Sequence, residues 1–231
     1  WGFDGNNPHT AINTGVDITG TNTFGFNISS TSAAGYTAFK RAVDTVADPE
    51  IVDFNLLLMP GVNHNQHSSI TNYAISKVED RADAFFILDP SAYGDSISTT
   101  KNTVQNLDTN YAGCYYPWVR MQGNIGSQVW VPPSVVALGT FASTEANSEL
   151  WFAPAGFTRG GLSDGAAGIP VLQVSQRLSS KERDSLYEVN INPIAQFPAE
   201  GIVIFGQKTL QATPSALDRI NVRRLLIFIK K

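Results

Sequence analysis

Phe54-Asn55-Leu56-Leu57-Leu58-Met59 and Ala84-Phe85-Phe86-Ile87-Leu88 are the stretches that decide the fold. Each is a short, nearly unbroken apolar run closed by a turn signal, Pro60-Gly61 after the first and Asp89-Pro90 after the second. A strand covered on one face alternates apolar and polar residues, whereas a strand covered on both faces does not. Between the two runs, Ile70, Tyr73, Ala74, Val78 and Ala82 recur at helical spacing behind Ser68 or Ser69 as a cap. Strand, helix and strand with continuous apolar strands predict parallel pairing, with helices packed on both sides of the sheet.

The same alternation extends outward. Upstream, Tyr36, Phe39, Val43 and Val46 predict a helix capped by Ser32 and stopped at Asp48-Pro49. Downstream, Ser98 to Asn110 suits a polar helix and Tyr111 to Met121 a third strand, with Gln128 to Val131 as its hairpin partner. Pro132-Pro133-Ser134 opens a helix to about Asn147, because proline is favoured in a first turn. Residues 151–170 read as a Gly- and Ala-rich loop and Pro170 to Val174 as a short strand. Ser179 or Ser180 caps a helix through Leu186, Gly201 to Gly206 is a buried strand, and Asn221 can cap a last helix to Lys231. Residues 1–34, rich in Gly, Asn, Thr and Ser, show only short alternations such as Val16/Ile18 and Phe24/Phe26/Ile28. The chain is therefore expected to be α/β: a mixed, largely parallel sheet flanked by helices over 35–231, preceded by a β/loop-rich segment over 1–34.

Composition narrows the function. With 231 residues, 42% hydrophobic and 16% charged, the chain can build a large core and is not of disordered composition. No apolar run approaches the ~18–20 residues of a bilayer span, which argues against membrane insertion. The single cysteine, Cys114, excludes an intrachain disulfide framework and suits a reducing compartment. The net charge of −4 argues against nucleic acid as a partner, since phosphate neutralisation is the main source of affinity there. The exception is local. Arg219, Arg223, Arg224, Lys230 and Lys231 against Asp218 carry +4, which leaves −8 on residues 1–217. This split suggests that the acidic body and the basic end meet between neighbouring copies; cations suited to the last turn of a helix, or Arg223 paired inside its own subunit, are the local alternatives.

The catalytic patterns fail on context. Gly161-Leu162-Ser163-Asp164-Gly165 fits the nucleophile elbow of α/β hydrolases, but no strand precedes Ser163, and His9, His64 and His67 all lie upstream of it. Gly201 and Gly206 have P-loop spacing, yet Gln207 separates Gly206 from Lys208, and the intervening residues make a strand. His64 and His67 lack a third ligand nearby. Glu79-Asp80, flanked by Lys77 and Arg81, reads as a solvated helix face, and Asn27-Ile28-Ser29 as a chance glycosylation pattern. No catalytic residue, cofactor or metal site is expected. A receptor-binding or adhesin module, suggested only by the Asn/Thr-rich first 34 residues, is the remaining alternative to a structural protein.

Indoles paired with prolines point to interfaces instead, with filling of the core under the sheet as the alternative, the one favoured for Trp130. Tyr115-Tyr116-Pro117-Trp118-Val119, Trp130 before Val131-Pro132-Pro133-Ser134, and Trp151-Phe152-Ala153-Pro154-Ala155-Gly156 present large, stiff apolar surfaces. These segments also carry a resemblance. Taken with Asn55 to Val62, Phe86-Ile87-Leu88-Asp89, Asn190-Ile191-Asn192-Pro193-Ile194, Phe205 to Leu210 and Ile220 to Leu225, they run in the order found in the tail sheath proteins of contractile-tailed, myovirus-type bacteriophages and related injection systems. The chain resembles the core of that family from Phe54 to Lys231. Many relatives have Ser-Gly after the paired prolines, where this chain reads Ser134-Val135, so the subfamily stays open.

The resemblance implies a non-enzymatic subunit that forms six-fold rings stacked helically around a tail tube and contracts to drive the tube through a host envelope. It implies the tube protein and the baseplate as partners besides other copies, the virion as location, and assembly in the host cytoplasm. It also implies that residues 1–34 return from an outward-facing inserted domain and that a further domain follows the Arg223-Arg224 helix, which fits the two abrupt ends. Trp118, Trp151, Arg223, Arg224, Lys230 and Lys231 are the expected inter-subunit contacts.

Overall fold

The computed structural model describes residues 28, 30–32, 34–123 and 126–231. The alternations at Val16/Ile18 and Phe24/Phe26, the histidine at position 9 and Asn27 lie outside them. The elements run α1 (Ala34–Thr45), β1 (Leu56–Asn63), α2 (His64–Arg81), β2 (Phe85–Asp89), α3 (Ile97–Val104), β3 (Ala112–Tyr116), β4 (Val119–Gln122) and β5 (Gln128–Val131). They continue with α4 (Pro133–Asn147), α5 (Gly156–Arg159), β6 (Val171–Val174), α6 (Ser180–Glu188), β7 (Ile191–Phe197), β8 (Gly201–Ile204) and α7 (Ile220–Lys230).

The main sheet has the order β1-β2-β3-β7-β8. Its first three pairings are parallel and the last, β7 with β8, is antiparallel. All residues of β2 and β3 are buried, as the unbroken apolar run of β2 requires. Successive side chains go to opposite faces. Phe85 and Ile87 join Tyr115 and Ile194 against α4 and α7, through Val136, Phe141, Ile220 and Ile227. Phe86 and Leu88 join Cys114 and Ile191 against α2, α3 and α6, through Ala74, Val78, Val104 and Leu186. A smaller antiparallel sheet, β5-β4-β6, closes the first of these cores with Val119, Met121, Val171 and Val174.

Several boundaries differ from expectation, each for a local reason. β1 runs on through Pro60 and Gly61 to Asn63 with a shift of register after Leu58. Proline is tolerated because β1 is an edge strand. α2 starts at His64, not Ser68, because the Asn63 side chain accepts from the Gln66 N–H at 2.9 Å; the chain kinks at His67 before the expected stretch. α3 ends at Val104, short of Asn110, in a polar turn. The third strand is two: the cis Tyr116–Pro117 bond separates β3 from β4, and the halves lie in different sheets. Arg219, not Asn221, occupies the cap position of α7. A strand not foreseen, β7, lies between β3 and β8 with Pro193 inside it. α4 packs closely on the Gly-rich loop at Gly139, where a β-carbon would lie 2.3 Å from the Ala167 carbonyl oxygen.

Two buried polar side chains hold these layers in register. Asn192 donates to the carbonyls of Cys114 and Lys208 at 3.0 and 2.8 Å, and its Oδ1 accepts from the Lys208 N–H at 2.7 Å. It thereby joins β3, β7 and the segment leading to α7. Asp89, at the carboxyl end of β2, accepts from the Ser134 N–H at 3.0 Å and from its hydroxyl at 2.6 Å. It caps the first turn of α4 with a side chain from the sheet, which suits a carboxylate at a helix N-terminus. Burial pushes the Asp89 carboxyl up to about 7, against the Ser134 hydrogen bonds, which favour the charged form.

Asn192→Ala removes the side-chain partner of three backbone groups, the buried Cys114 carbonyl and the half-buried N–H and carbonyl of Lys208. It is expected to lower stability by about 2–4 kcal/mol in urea denaturation, at ~1–3 kcal/mol per stranded group with partial relaxation. For Asp89 the sign follows from its raised value. Between about pH 4 and pH 7 the folded chain keeps a proton that the unfolded chain has released, so this group's contribution falls as pH rises, by up to ~1.4 kcal/mol per pH unit. Asp89→Asn removes that slope, so the stability gap between variant and parent, measured at pH 5 and pH 8, shifts in favour of the variant at the higher pH.

Candidate assembly surfaces

The proline-flanked indoles occupy two separate places. Trp118, in the turn between β3 and β4, donates its Nε1–H to the Ser91 carbonyl at 3.1 Å and meets Tyr93 edge-on at 5.8 Å. Tyr93, itself exposed, also lies 5.3 Å from Trp130, whose ring carries the Arg120 guanidinium at 5.5 Å. Trp151, between α4 and α5, lies 5.2 Å from Phe228 of α7. Phe228 and Ile229 beside it face outward. Trp118, Trp130 and Trp151 are all half-buried, each an aromatic anchor fixed from one side.

The basic end divides between the interior and the surface, as the local alternative for Arg223 allowed. Along α7 the buried stripe is Ile220, Arg223, Arg224 and Ile227, so helical spacing turns both arginines inward. Arg223 lies 4.4 Å above the Tyr111 ring. Arg224, with its side chain 2% exposed, pairs with Glu145 of α4 at 3.1 Å and lies 5.0 Å from the Phe141 ring. Burial pulls the Arg224 guanidinium below its usual value, while Glu145 and Tyr115 pull the other way. Lys230 donates to the Arg81 carbonyl at 3.2 Å, and Lys231 to the Phe54 carbonyl at 3.0 Å and to Asp53. Arg81 in turn binds the carbonyls of Val46 and Val52 and pairs with Asp83 at 2.8 Å. The C-terminal cations thus tie α7 to α4 and to the loop before β1 within one subunit.

A third aromatic surface drew no notice in the sequence. Phe157 of α5, Phe197 of β7 and Phe205 after β8 form a mutual triad with ring centroids 5.2–5.8 Å apart. Arg183 of α6 lies 5.1 and 6.0 Å over two of these rings, and Arg159 lies 5.2 Å over Phe152 nearby. A groove of about 300 Å³ opens beside Phe157 and Arg159 towards the end of α4. Phe157 stands between Gly156 and Thr158 and Phe205 closes the apolar run of β8, so neither marks itself in the sequence as part of an exposed cluster.

The patterns that suggested chemistry are structural. Ser163 accepts from the Ile202 N–H at 2.9 Å in a turn after a one-residue bridge to β8, with no strand-to-helix elbow. Gly201 to Ile204 is strand, not a phosphate loop. His64 is buried against the Thr71 hydroxyl, Glu79 and Asp80 are exposed, and burial pushes the Cys114 thiol up. Among the described residues no cluster of three metal-ligating side chains occurs, and no helix is long and apolar enough to cross a membrane.

The aromatic–proline segments and the covered sheet match a known model, the central domain of phage tail sheath proteins, over residues 30–210. The chain belongs to the phage tail sheath family. It is 28% identical to the tail sheath protein of Vibrio phage KVP40 over 90% of this chain and 34% of that protein. It is 28% identical to the tail sheath protein of Enterobacteria phage T4 over 96% of this chain and 36% of that protein. The chain thus spans about a third of the length of these sheath proteins. Among solved structures, a chain of the anti-feeding prophage baseplate shares its fold with a TM-score of 0.65 at 20% identity, over 94% of this chain and 58% of that one. The helical sheath of the same prophage in the contracted state matches with a TM-score of 0.61 at 23% identity, over 88% of this chain and 50% of that one.

Arg224→Ala is expected to lower the stability of the lone chain by about 2–4 kcal/mol in urea, because it removes a buried cation with its packing and strands Glu145, which remains partly hydrated. Unchanged denaturation of that variant would show that the arginine does not act inside the subunit.

Proposed function

We propose that this chain is the stiff central part of a contractile-tail sheath subunit. Copies assemble as six-fold rings stacked helically around a tail tube, and contraction moves nearly rigid subunits into a shorter, wider lattice that drives the tube through a host envelope. The family match over residues 30–210 carries this reading. The doubly covered sheet supports it physically, because a close-packed interior resists deformation and passes displacement on to contacts between copies. The work comes from the free-energy difference between two sets of inter-subunit contacts, so the subunit needs no nucleotide and no catalytic residue.

Under this reading the two indole surfaces, Trp118 with Tyr93 and Trp151 with Phe228, are contacts to neighbouring copies, and the exposed Lys230 and Lys231 border the second. Arg223 and Arg224 hold α7 from within, so their part in assembly is to set the position of that surface. Residues 1–34 belong to the return from an outward-facing inserted domain, and 35–231 form the core. The tube protein and the baseplate are the further partners, with assembly in the host cytoplasm and residence in the virion tail.

Negative-stain microscopy of the intact protein is expected to show striated hollow cylinders. An absence of ordered polymers across a range of salt would overturn the reading. Esterase activity that disappears in Ser163→Ala would overturn its non-enzymatic part.

A further inference from the structure

The surfaces flanking the two ends of the sheet order complement each other in charge, and each exposes apolar side chains. Beside β8 lies the arginine-capped ring cluster of Phe157, Phe197 and Phe205. Phe157 is 48% and Phe205 42% exposed, and among the described residues neither Arg183 nor Arg159 forms an ion pair. These guanidinium groups lie over phenyl faces and donate to the Leu178 and Ala153 carbonyls, so they are held in place with charge left to offer. At the opposite edge, the loop entering β1 carries Asp48-Pro49-Glu50-Ile51-Val52-Asp53. Ile51 is 75% exposed, the most exposed large apolar side chain among the described residues.

That loop is built to hold its shape. The Ile51 and Val52 N–H groups donate to the Asp48 carbonyl, and the Glu50 N–H donates to the Asp48 side chain at 2.9 Å. Arg81 clamps the loop by the carbonyls of Val46 and Val52. An apolar tip on a fixed acidic turn is a ready knob, with little ordering entropy left to lose on docking.

We infer that the Asp48–Asp53 loop of one copy docks on the Phe157/Phe197/Phe205 cluster of the next, Ile51 packing on the exposed faces of Phe157 and Phe205 and Glu50 facing Arg183 or Arg159. This rests on the sheath reading and gives it a partner surface. Knob and socket lie at opposite sheet edges, so the contact is head-to-tail. A contact between two different patches closes into a ring or propagates as a helix, whereas a self-complementary patch stops at a dimer. The rings supply the apolar anchor, and the guanidinium groups fix orientation and reject wrong partners.

The test uses the intact protein in a mixing experiment under mild oxidation, with Ile51→Cys on one population and Phe157→Cys on the other. The native Cys114 is buried and does not interfere. The mixture should give mixed disulfide dimers and each population alone none, while a chain carrying both substitutions should give a ladder of higher multimers. Arg183→Glu should reduce the salt concentration that half-dissolves the polymers by about twofold, and Glu50→Arg in the same chain should restore it. Cylinders in the microscope without mixed dimers would overturn this contact and leave the sheath reading standing. Mixed dimers without cylinders would keep the contact and remove that reading. Homodimers of the Ile51→Cys chain, or capture of Phe157→Cys by a different tail component, would also overturn the contact.

Discussion

Everything in this chain depends on β2 and β3 being buried on both faces. A central strand with no solvent side must be covered by apolar elements above and below, and the hydrogen-bond capacity of its backbone must be met within the sheet. The first demand places α4 and α7 on one side and α2, α3 and α6 on the other. The second is met where the strands end by buried polar side chains that work as joints. Asn192 satisfies three backbone groups, and Asp89 ties the carboxyl end of β2 to the start of α4. A core so connected has little freedom to deform one layer without the other.

The parts legible in the sequence were those where one period ruled. Ala84 to Leu88 could only be a doubly buried strand, and the helical spacing of Ile70, Tyr73, Ala74 and Val78 held through α2. The boundaries missed were set by single side chains acting locally, such as Asn63 starting its helix early. β7 was hidden because Pro193 argues against a central strand. It is accommodated through its carbonyl, which accepts from the Phe205 N–H, while the side chain of Asn192 secures the neighbouring segment. The assembly surfaces were half legible. Proline-flanked tryptophans announced two of them, whereas the Phe157 triad is drawn from α5, β7 and the segment after β8, and only the tertiary fold brings it together.

The basic end shows how a charge count misleads without periodicity. Five cations in the last thirteen residues look like a surface feature. Ile220, Arg223, Arg224 and Ile227 nevertheless share one helical stripe, and that stripe faces the core. The aliphatic stems of the arginines serve as core, and their heads find Tyr111, Phe141 and Glu145. Part of the −8/+4 split is therefore met inside the subunit, where Asp218, Glu145 and Asp53 receive three of the five cations.

That allocation bears on how a sheath subunit can be both firm and switchable. A buried cation is hard to withdraw even from a partner that stays partly hydrated, because separation leaves the cation without solvent, so such pairs suit contacts that persist through a change of lattice. Half-buried arginines over phenyl rings, without an ion-pair partner, behave otherwise. Their charge is already partly hydrated, their position is already fixed, and exchanging one acidic neighbour for another requires little new desolvation. Arg224 belongs to the first kind, and Arg159 and Arg183 to the second. A subunit whose firm ion pairs are internal and whose unpaired, half-buried guanidinium groups sit on aromatic platforms can change neighbours while keeping its own shape, and the proposed contraction needs that division.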